Sequence, residues 1–400
     1  MGSLLGPHFP ERVGLAVSGG GDSMAMLHLA AAWARVFGIR LAVVTVDHGL
    51  RPEAADEAAL VAAEAELLGL PHDVLRWHWD GQGNLQDAAR RARARLIGDW
   101  RGEIAHVAFA HTRDDQAETL LLRLRRGSGV EGLSGMAERR DMGGWQIVRP
   151  LLDAGRDELR HYCRVLRIPY ADDPSNADPT YDRVRIRRLL SDLEAEGLGA
   201  GTLAATAARL RRARTALARR AYDVAERVAS TEAGDVLFER DGFAGIETDT
   251  QLRLLAAALQ YVASAEYRPR AAALEALLER ALAGGGGTLH GCRVLVGRTH
   301  TRIAREYEAV RALRDEAGVW DRRWRVVYEP REGLAVRALG EVGLAQAPEL
   351  PDAPRVALHA APALFDGDRL VACPRLGHGT GLSVQLSAPG GVFPDRLLSD

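Results

Sequence analysis

The sequence predicts an α/β protein: an N-terminal doubly wound parallel sheet, a helical or α+β middle region, and a small β-rich C-terminal domain. Three observations point there. From residue 13 to about 150, short apolar runs alternate with stretches of helical periodicity, the pattern of parallel strands covered on both faces. The first apolar run ends in a glycine loop that opens directly into a helical pattern. Beyond about 190 the alternation stops, and short strands punctuated by Pro and Gly take over toward the C-terminus. The divisions expected are 1–196, 197–315 and 316–400, in keeping with the length of 400 residues.

Val13-Gly14-Leu15-Ala16-Val17 reads as a buried strand. It gives way to Ser18-Gly19-Gly20-Gly21-Asp22-Ser23, after which Met24, Leu27 and His28 fall at helical spacing. A strand, a glycine loop and a helix together turn backbone N–H groups and the positive end of a helix dipole toward an anion. A Cβ in the loop would hold phosphate oxygens away from the main chain. Ser18 and Ser23 add hydroxyls at the two ends, and Asp22 can either cap the helix or help hold a metal on the phosphates. The chain contains no lysine, so all 52 basic residues are arginine, and a Walker loop is excluded. The dinucleotide fingerprint fails too, because its third glycine is missing. The loop is similar to the pyrophosphate loop (SGGxDS) of the N-type ATP pyrophosphatases, enzymes that split ATP between the α and β phosphates and adenylate a substrate. That resemblance implies ATP held by Ser18, Gly19, Gly20, Gly21, Asp22 and Ser23, with Mg²⁺ at Asp22.

The second strand, Ile39 to Val46, ends in Asp47-His48-Gly49-Leu50-Arg51-Pro52, with Pro52 placed to open a helix over Glu53 to Leu68. His72 to Trp79 is a third strand, and Asn84 caps a helix running through Trp100. Ile104 to Ala110 is the fourth strand, Thr112 to Arg126 the next helix, and Trp145 to Val148 a fifth short strand. Ligands of such sheets bind beyond the carboxyl ends of the strands. Those ends carry Ser18–Ser23, Asp47–Arg51 and His111–Glu118, so three polar clusters converge on one edge, and Asp47 and His48 join the nucleotide set.

In His111-Thr112-Arg113-Asp114-Asp115-Gln116-Ala117-Glu118, helical spacing brings Asp114 or Asp115 onto one face with Glu118. Acidic residues suit a helix N-terminus, but His111 is not needed for that. Carboxylates beside a polyanion make sense when they hold a cation, either Mg²⁺ or an ammonium on a second substrate. Arginines gather in three places: on the helix carrying Arg90, Arg91, Arg93 and Arg95; in the glycine-rich loop after Arg126; and in Arg183-Val184-Arg185-Ile186-Arg187-Arg188. A net charge of −2 argues against a uniformly cationic nucleic-acid binder, while local clusters of this kind suit a phosphate-rich partner such as RNA.

Taken together, Ser18–Ser23, Val46–Arg51, Asn84–Arg90, Ala110–Thr119, Arg126–Leu133, Arg149–Leu152, Asp173–Asn176 and Arg183 to Arg187 follow in the order of the motifs of the tRNA(Ile)-lysidine synthase family, which the first half of the chain resembles. The resemblance implies a reaction in which ATP adenylates the C2 oxygen of the wobble cytidine of a CAU-anticodon isoleucine tRNA. The ε-amine of free L-lysine then displaces AMP, and the lysidine formed pairs with A instead of G. It implies Asp114, Asp115, Glu118 and His111, with Asp22, as the catalytic set, without dividing the roles among them. It implies Arg51, Arg90, Arg126, Arg183 and Arg187 as contacts to tRNA.

Past residue 190, Gly197 to Gly201 resembles a hinge, and Thr202 to Val228 reads as one long helix that either follows a tRNA backbone or connects domains. Val236 to Phe238, helices from about Thr250 to Ala263 and Pro269 to Ala283, and a hairpin of Thr288–Val296 with Arg302–Arg305 make a small α/β unit. Trp320 to Asp400 carries no motif specific enough to assign a role. Cys163, Cys292 and Cys373 are far apart, which speaks against a zinc site, an iron–sulfur cluster or a disulfide framework. No apolar run is long enough to span a bilayer and no leader pattern stands at the N-terminus, so a cytoplasmic enzyme without a membrane partner is expected. The oligomeric state is open, a homodimer included. Three rivals stand beside it: a tRNA thiolase of the same superfamily, whose cysteine pairs are missing; an amide-forming ligase such as a GMP or asparagine synthetase, whose amidotransferase region with a nucleophilic cysteine is missing; and a non-catalytic RNA-binding protein that holds ATP as a structural ligand.

Overall fold

The N-terminal sheet is built around a strand buried from both sides. In the computed structural model residues 1–49, 54–79, 81, 85–172, 182–388 and 391–398 are described, with the backbone alone for Gln86. After a short helix α1 (Gly2–Leu5) come β1 (Arg12–Ala16), α2 (Gly21–Phe37), β2 (Arg40–Asp47), α3 (Ala54–Leu67), β3 (His72–Arg76) and α4 (Leu85–Trp100). They are followed by β4 (His106–Phe109), α5 (Arg113–Arg125), α6 (Val130–Leu133), β5 (Arg139–Asp141), β6 (Gln146–Val148), α7 (Arg156–Leu166), α8 (Asp182–Ala195) and α9 (Ala200–Val228). The strands form one sheet in the order β3-β2-β1-β4-β6-β5, parallel except for β5 at the edge. The order reverses between β1 and β4, which opens a crevice where the loops after those two strands meet.

Alternation along the strands sorts side chains to two cores. Val13, Leu15, Leu41 and Val43 pack with Met24 and Leu27 of α2 and Leu159 and Cys163 of α7. Ala42, Val44, Val107 and Phe109 face the other way, toward Ile97 and Trp145. Because both faces are covered, the strands read as nearly unbroken apolar runs. Gly14 suits that packing: a Cβ there would lie 3.1 Å from Val107 and 3.2 Å from Trp100, tight enough to push on both side chains.

Among the elements that escape the sequence reading, β5 and α7 have plain physical reasons. β5 is a three-residue edge strand, Arg139-Arg140-Asp141, whose charges blunt the sheet edge and hide its strand character. α7 begins at a glycine N-cap instead of Ser or Thr; the Glu158 carboxylate accepts the Gly155 N–H at 2.8 Å and completes the cap. Asn84, Pro52, Arg51 and the Asp173–Asn176 turn lie outside the described residues.

The chain divides into two compact units, Met1–Arg214 and Thr215–Ser399, with α9 contributing residues to both. The second holds β7 (Ala229–Glu232), β8 (Asp235–Glu239), α10 (Arg240–Ala244), α11 (Thr248–Ala263), α12 (Ala271–Leu282), β9 (Gly287–Leu289), β10 (Cys292–Val296) and β11 (His300–Arg305). These strands form an antiparallel sheet, β7-β8-β11-β10-β9, packed through Phe238, Leu254, Leu259 and Tyr261. Further on are β12 (Val319–Trp320), β13 (Trp324–Val327), β14 (Leu334–Ala338), α13 (Gly340–Leu344), α14 (Arg355–Leu358), β15 (Pro362–Asp366), β16 (Arg369–Ala372) and β17 (Ser383–Leu386), in two three-stranded sheets. Buried and partly buried arginines are matched to acids: Arg302 and Arg375 meet on Asp235, and Arg305 grips Asp321 through two bonds of 2.9 Å. Among the described residues no helix is long and apolar enough to cross a membrane.

Candidate active site

The loop after β1 is held in shape by its own side chains. Ser23 Oγ accepts the Ser18 N–H at 3.1 Å and donates to the Gly20 carbonyl at 2.9 Å, so Ser23 closes the turn. Gly19 sits at φ +87°, where a Cβ would meet the Glu57 carbonyl at 3.2 Å. Its own carbonyl accepts the Ala171 N–H at 3.0 Å. Gly20 is the N-cap of α2, and Asp22 leaves capping to the main chain. Its Oδ2 lies 3.4 Å from Arg156 Nε, while Oδ1 is buried with no partner. Burial lifts the Asp22 carboxyl to about 6; Arg156 pulls against this, and Asp115 adds to it.

The carboxylates of α5 are positioned by the start of the helix. Thr112 is the N-cap, and Asp115 completes a capping box by accepting the Thr112 N–H at 2.8 Å. The other Asp115 oxygen takes Arg156 Nη2 at 3.1 Å. Asp114 instead accepts the backbone N–H of Arg156 at 2.7 Å, anchoring the first turn of α7. Glu118 is 1 % exposed: Oε1 accepts from both Arg156 Nη atoms at 3.2 Å and from Arg187 Nε at 2.6 Å, and Oε2 has no partner. Burial opposes the Arg156 charge, but Glu118, Asp115 and Asp22 outweigh it and hold the guanidinium above its usual range. One arginine thus gathers all four carboxylates singled out in the sequence. The sequence reading missed it, since a single Arg after Gly155 carries no motif.

His111 is neutral. Burial, then Arg149, bring it down to about 3, with Asp115 opposing. Its ring stacks on Phe109 at 6.0 Å, and Nδ1 is buried without a partner. Asp47 accepts the Gly49 N–H at 2.8 Å, and His48 packs edge-on to Trp77 at 5.7 Å. Burial, then Arg93, lower the His48 pKa.

These elements surround a cleft of about 650 Å³, within the range of small-molecule sites. Ser18, Gly20, Gly21, Asp22, Ser23, Asp47, His48, His111, Asp115 and Arg187 line it, joined by Glu57, Arg93, Arg156 and Arg160. Gly19, Asp114 and Glu118 are not in the wall. Arg90, Arg126 and Arg183 are exposed and also outside it. Arg90 and Arg183 are near enough to Arg93 to add to the burial that lowers it to about 10. Arg123, lowered chiefly by burial, also feels Arg90, Arg214 and Arg126. The site therefore has an acidic side organised by Arg156 and a basic side organised around Arg93. Cys163, Cys292 and Cys373 are buried, and none lines the cleft.

The family model of the PP-loop domain matches residues 1–194. The tRNA(Ile)-lysidine synthase of Ruegeria pomeroyi is 43% identical over 396 residues, covering 98% of this chain and 94% of that protein. The one from Rhodopseudomonas palustris is 47% identical over 251 residues, 60% of this chain and 72% of its own. Among solved structures, a U34-tRNA thiolase of Methanococcus maripaludis aligns with a TM-score of 0.44 and 18% identity, covering 50% of this chain and 72% of that one. With the loop after β1 and the acidic helix α5 meeting at one switch point, and with near full-length similarity at 43% identity, the chain belongs to the tRNA(Ile)-lysidine synthase family.

Proposed function

We propose that the protein joins free L-lysine to C2 of the wobble cytidine of a CAU-anticodon isoleucine tRNA at the expense of ATP. The observation that carries the reading is the pairing of a phosphate-type loop with a cation-holding acidic group across one cleft, with Arg156 bonded to both Asp22 and Glu118. A polyphosphate and an ammonium are the ligands such a cleft accommodates side by side.

In the first step the C2 oxygen of cytidine attacks the α-phosphorus of ATP, and the bond to the β-phosphate oxygen breaks to release pyrophosphate. The loop N–H groups and the N-terminus of α2 stabilise charge as it develops on that leaving group. In the second step the neutral ε-amine attacks C2, the C2–O bond breaks, AMP leaves with the oxygen, and the amine gives up its remaining surplus proton. Asp115 and Asp22 are the carboxylates in the wall that attract the ammonium and accept a proton. Neutral His111 contributes hydrogen bonds rather than charge. Arg90, Arg93 and Arg183, with Arg126, suit the tRNA phosphates around a flipped cytidine.

Magnesium fits the donor set. Among the described residues no three His, Cys, Asp or Glu side chains are grouped to hold a metal by themselves. A cation bound through one carboxylate, water and substrate phosphates needs no such group. Asp22 Oδ1, buried and unpaired, is the atom that would reach it. When bound, the ion would neutralise charge on the departing pyrophosphate.

Incubation with ATP, labelled lysine and total tRNA tests the reading. Label is expected in the CAU-anticodon isoleucine tRNA, with AMP and pyrophosphate released, and not in elongator methionine tRNA. Pyrophosphate release without incorporation of lysine would overturn it. The thiolase rival is disfavoured by the absence of any cysteine from the cleft wall among the described residues.

A further inference from the structure

We propose that Arg156 is a resident cation of the acidic pocket and makes lysine binding conditional on ATP: its guanidinium bridges Asp22, Asp115 and Glu118 until a polyphosphate draws it away. The inference rests on the preceding reading that a lysine ammonium is the second ligand.

The geometry separates a fixed part of Arg156 from a movable one. Its backbone N–H is bonded to Asp114 Oδ2 at 2.7 Å at the start of α7, and the neighbouring Gly155 N–H is held by Glu158 at 2.8 Å. The side chain can therefore turn without unseating the helix. That side chain lines the cleft together with Gly20 and Gly21, the part of the loop whose N–H groups suit phosphate, and is 19 % exposed. Its bonds to Asp22 at 3.4 Å and to Glu118 at 3.2 Å are longer than the 2.6 Å contact of Arg187 with Glu118. A guanidinium cannot shed its charge by losing a proton, so the oxygens it occupies, Asp22 Oδ2, Asp115 Oδ1 and Glu118 Oε1, are freed of it only if it moves. With Arg156 in place, an incoming ammonium meets a like charge already bound to Asp115. A polyphosphate on the loop offers oxygens that match the guanidinium fork. Once the fork turns toward them, Asp115 loses its partner cation beside the nucleotide, and the Asp22 oxygen that faced Arg156 is released.

Two ligands that compete for and against one side chain are thermodynamically coupled, and the coupling is reciprocal. Lysine should bind more tightly once nucleotide is present, by roughly 5- to 150-fold, and nucleotide more tightly with lysine by the same factor. Direct attraction between the ammonium and the polyphosphate persists without Arg156, so the part of the factor that Arg156 supplies is the part lost when it is replaced.

Calorimetric titration of the full-length protein with lysine, with and without Mg²⁺ and the non-hydrolysable α,β-methylene analogue of ATP, decides the matter. Wild type is expected to show the coupling, and Arg156→Gln to bind lysine with less dependence on the analogue than wild type. Arg156→Lys, which keeps the charge but loses the fork, should fall between. Equal lysine affinity of wild type with and without the analogue overturns the proposal while leaving the proposed reaction standing; so does wild-type coupling in Arg156→Gln. If circular dichroism shows that Arg156→Gln does not fold, the wild-type factor and Arg156→Lys decide. Wild type that binds no lysine in either condition and incorporates none into tRNA overturns the reaction itself.

Discussion

The decisive residues of this site are charged groups whose surroundings set what they can do. Asp22 has one oxygen on Arg156 and one buried without a partner, beside the phosphate loop. Asp22→Ala is expected to abolish pyrophosphate release. Glu118→Ala should instead leave nucleotide binding within a few-fold and sharply reduce lysine incorporation, because Glu118 acts on the cleft through Arg156 and Arg187. Incorporation by Glu118→Ala at the wild-type rate would refute that role. His111 makes a pH prediction. Its pKa falls from 6.5 to about 3, chiefly through burial, so the folded state favours the neutral ring. The stabilisation is complete above pH 6.5 and is lost as pH falls toward 3, because the unfolded chain takes up a proton that the folded one resists, at up to ~1.4 kcal/mol per pH unit. Urea denaturation of His111→Asn should show a shallower acid limb than wild type over that window; equal slopes would count against it.

At the scale of elements, function depends on two turns that bring helix N-termini to one crevice. The turn before α2 needs a left-handed residue at Gly19, and a Cβ there would press on the Glu57 carbonyl at 3.2 Å. Gly19→Ala combines backbone strain with that clash, costing about 1–3 kcal/mol locally. Weakened nucleotide binding on the order of 10-fold or more is expected by equilibrium titration. The turn before α5 spends Asp115 on two tasks at once, a capping box with Thr112 and an ion pair with Arg156. The first-turn role expected for acidic residues and the functional role suggested by His111 are therefore not alternatives in this helix. One aspartate has two oxygens, and each serves one of them.

For the whole molecule, the contrast lies between the two units. The first carries the cleft, and the second invests its buried charge in its own stability. Asp235 is 1 % exposed and holds both Arg302 and Arg375. Asp235→Ala would leave buried Arg302 with only the exposed Glu232 as counter-charge and would take a carboxylate from the partly buried Arg375, and a loss of about 3 kcal/mol is expected in denaturant unfolding. Nucleotide affinity, a property of the first unit, should hardly change. A drop in affinity matching the loss of stability would show the two to be linked.

The strand, glycine loop and helix of residues 12–37 are legible in the sequence because they rest on local signals: apolar runs, three glycines and helical periodicity. The α5 cluster is legible for the same reason, as its carboxylates are neighbours along one helix. Nothing local reveals the edge strand β5, where three charged or polar-tending residues pair with a neighbour that supplies the sheet, or α7, where glycine stands in for a capping side chain. Arg156 is the clearest case. It binds Asp22 across 134 residues and Glu118 across 38, and no spacing rule links positions so far apart. The sequence by itself determined that an anion-binding loop and an acidic helix would lie at the carboxyl edge of a parallel sheet, since periodicity and turn chemistry act over a few residues. Only the tertiary structure decided which cation stands between them, because a long-range ion pair exists only once the sheet order has brought its partners within reach.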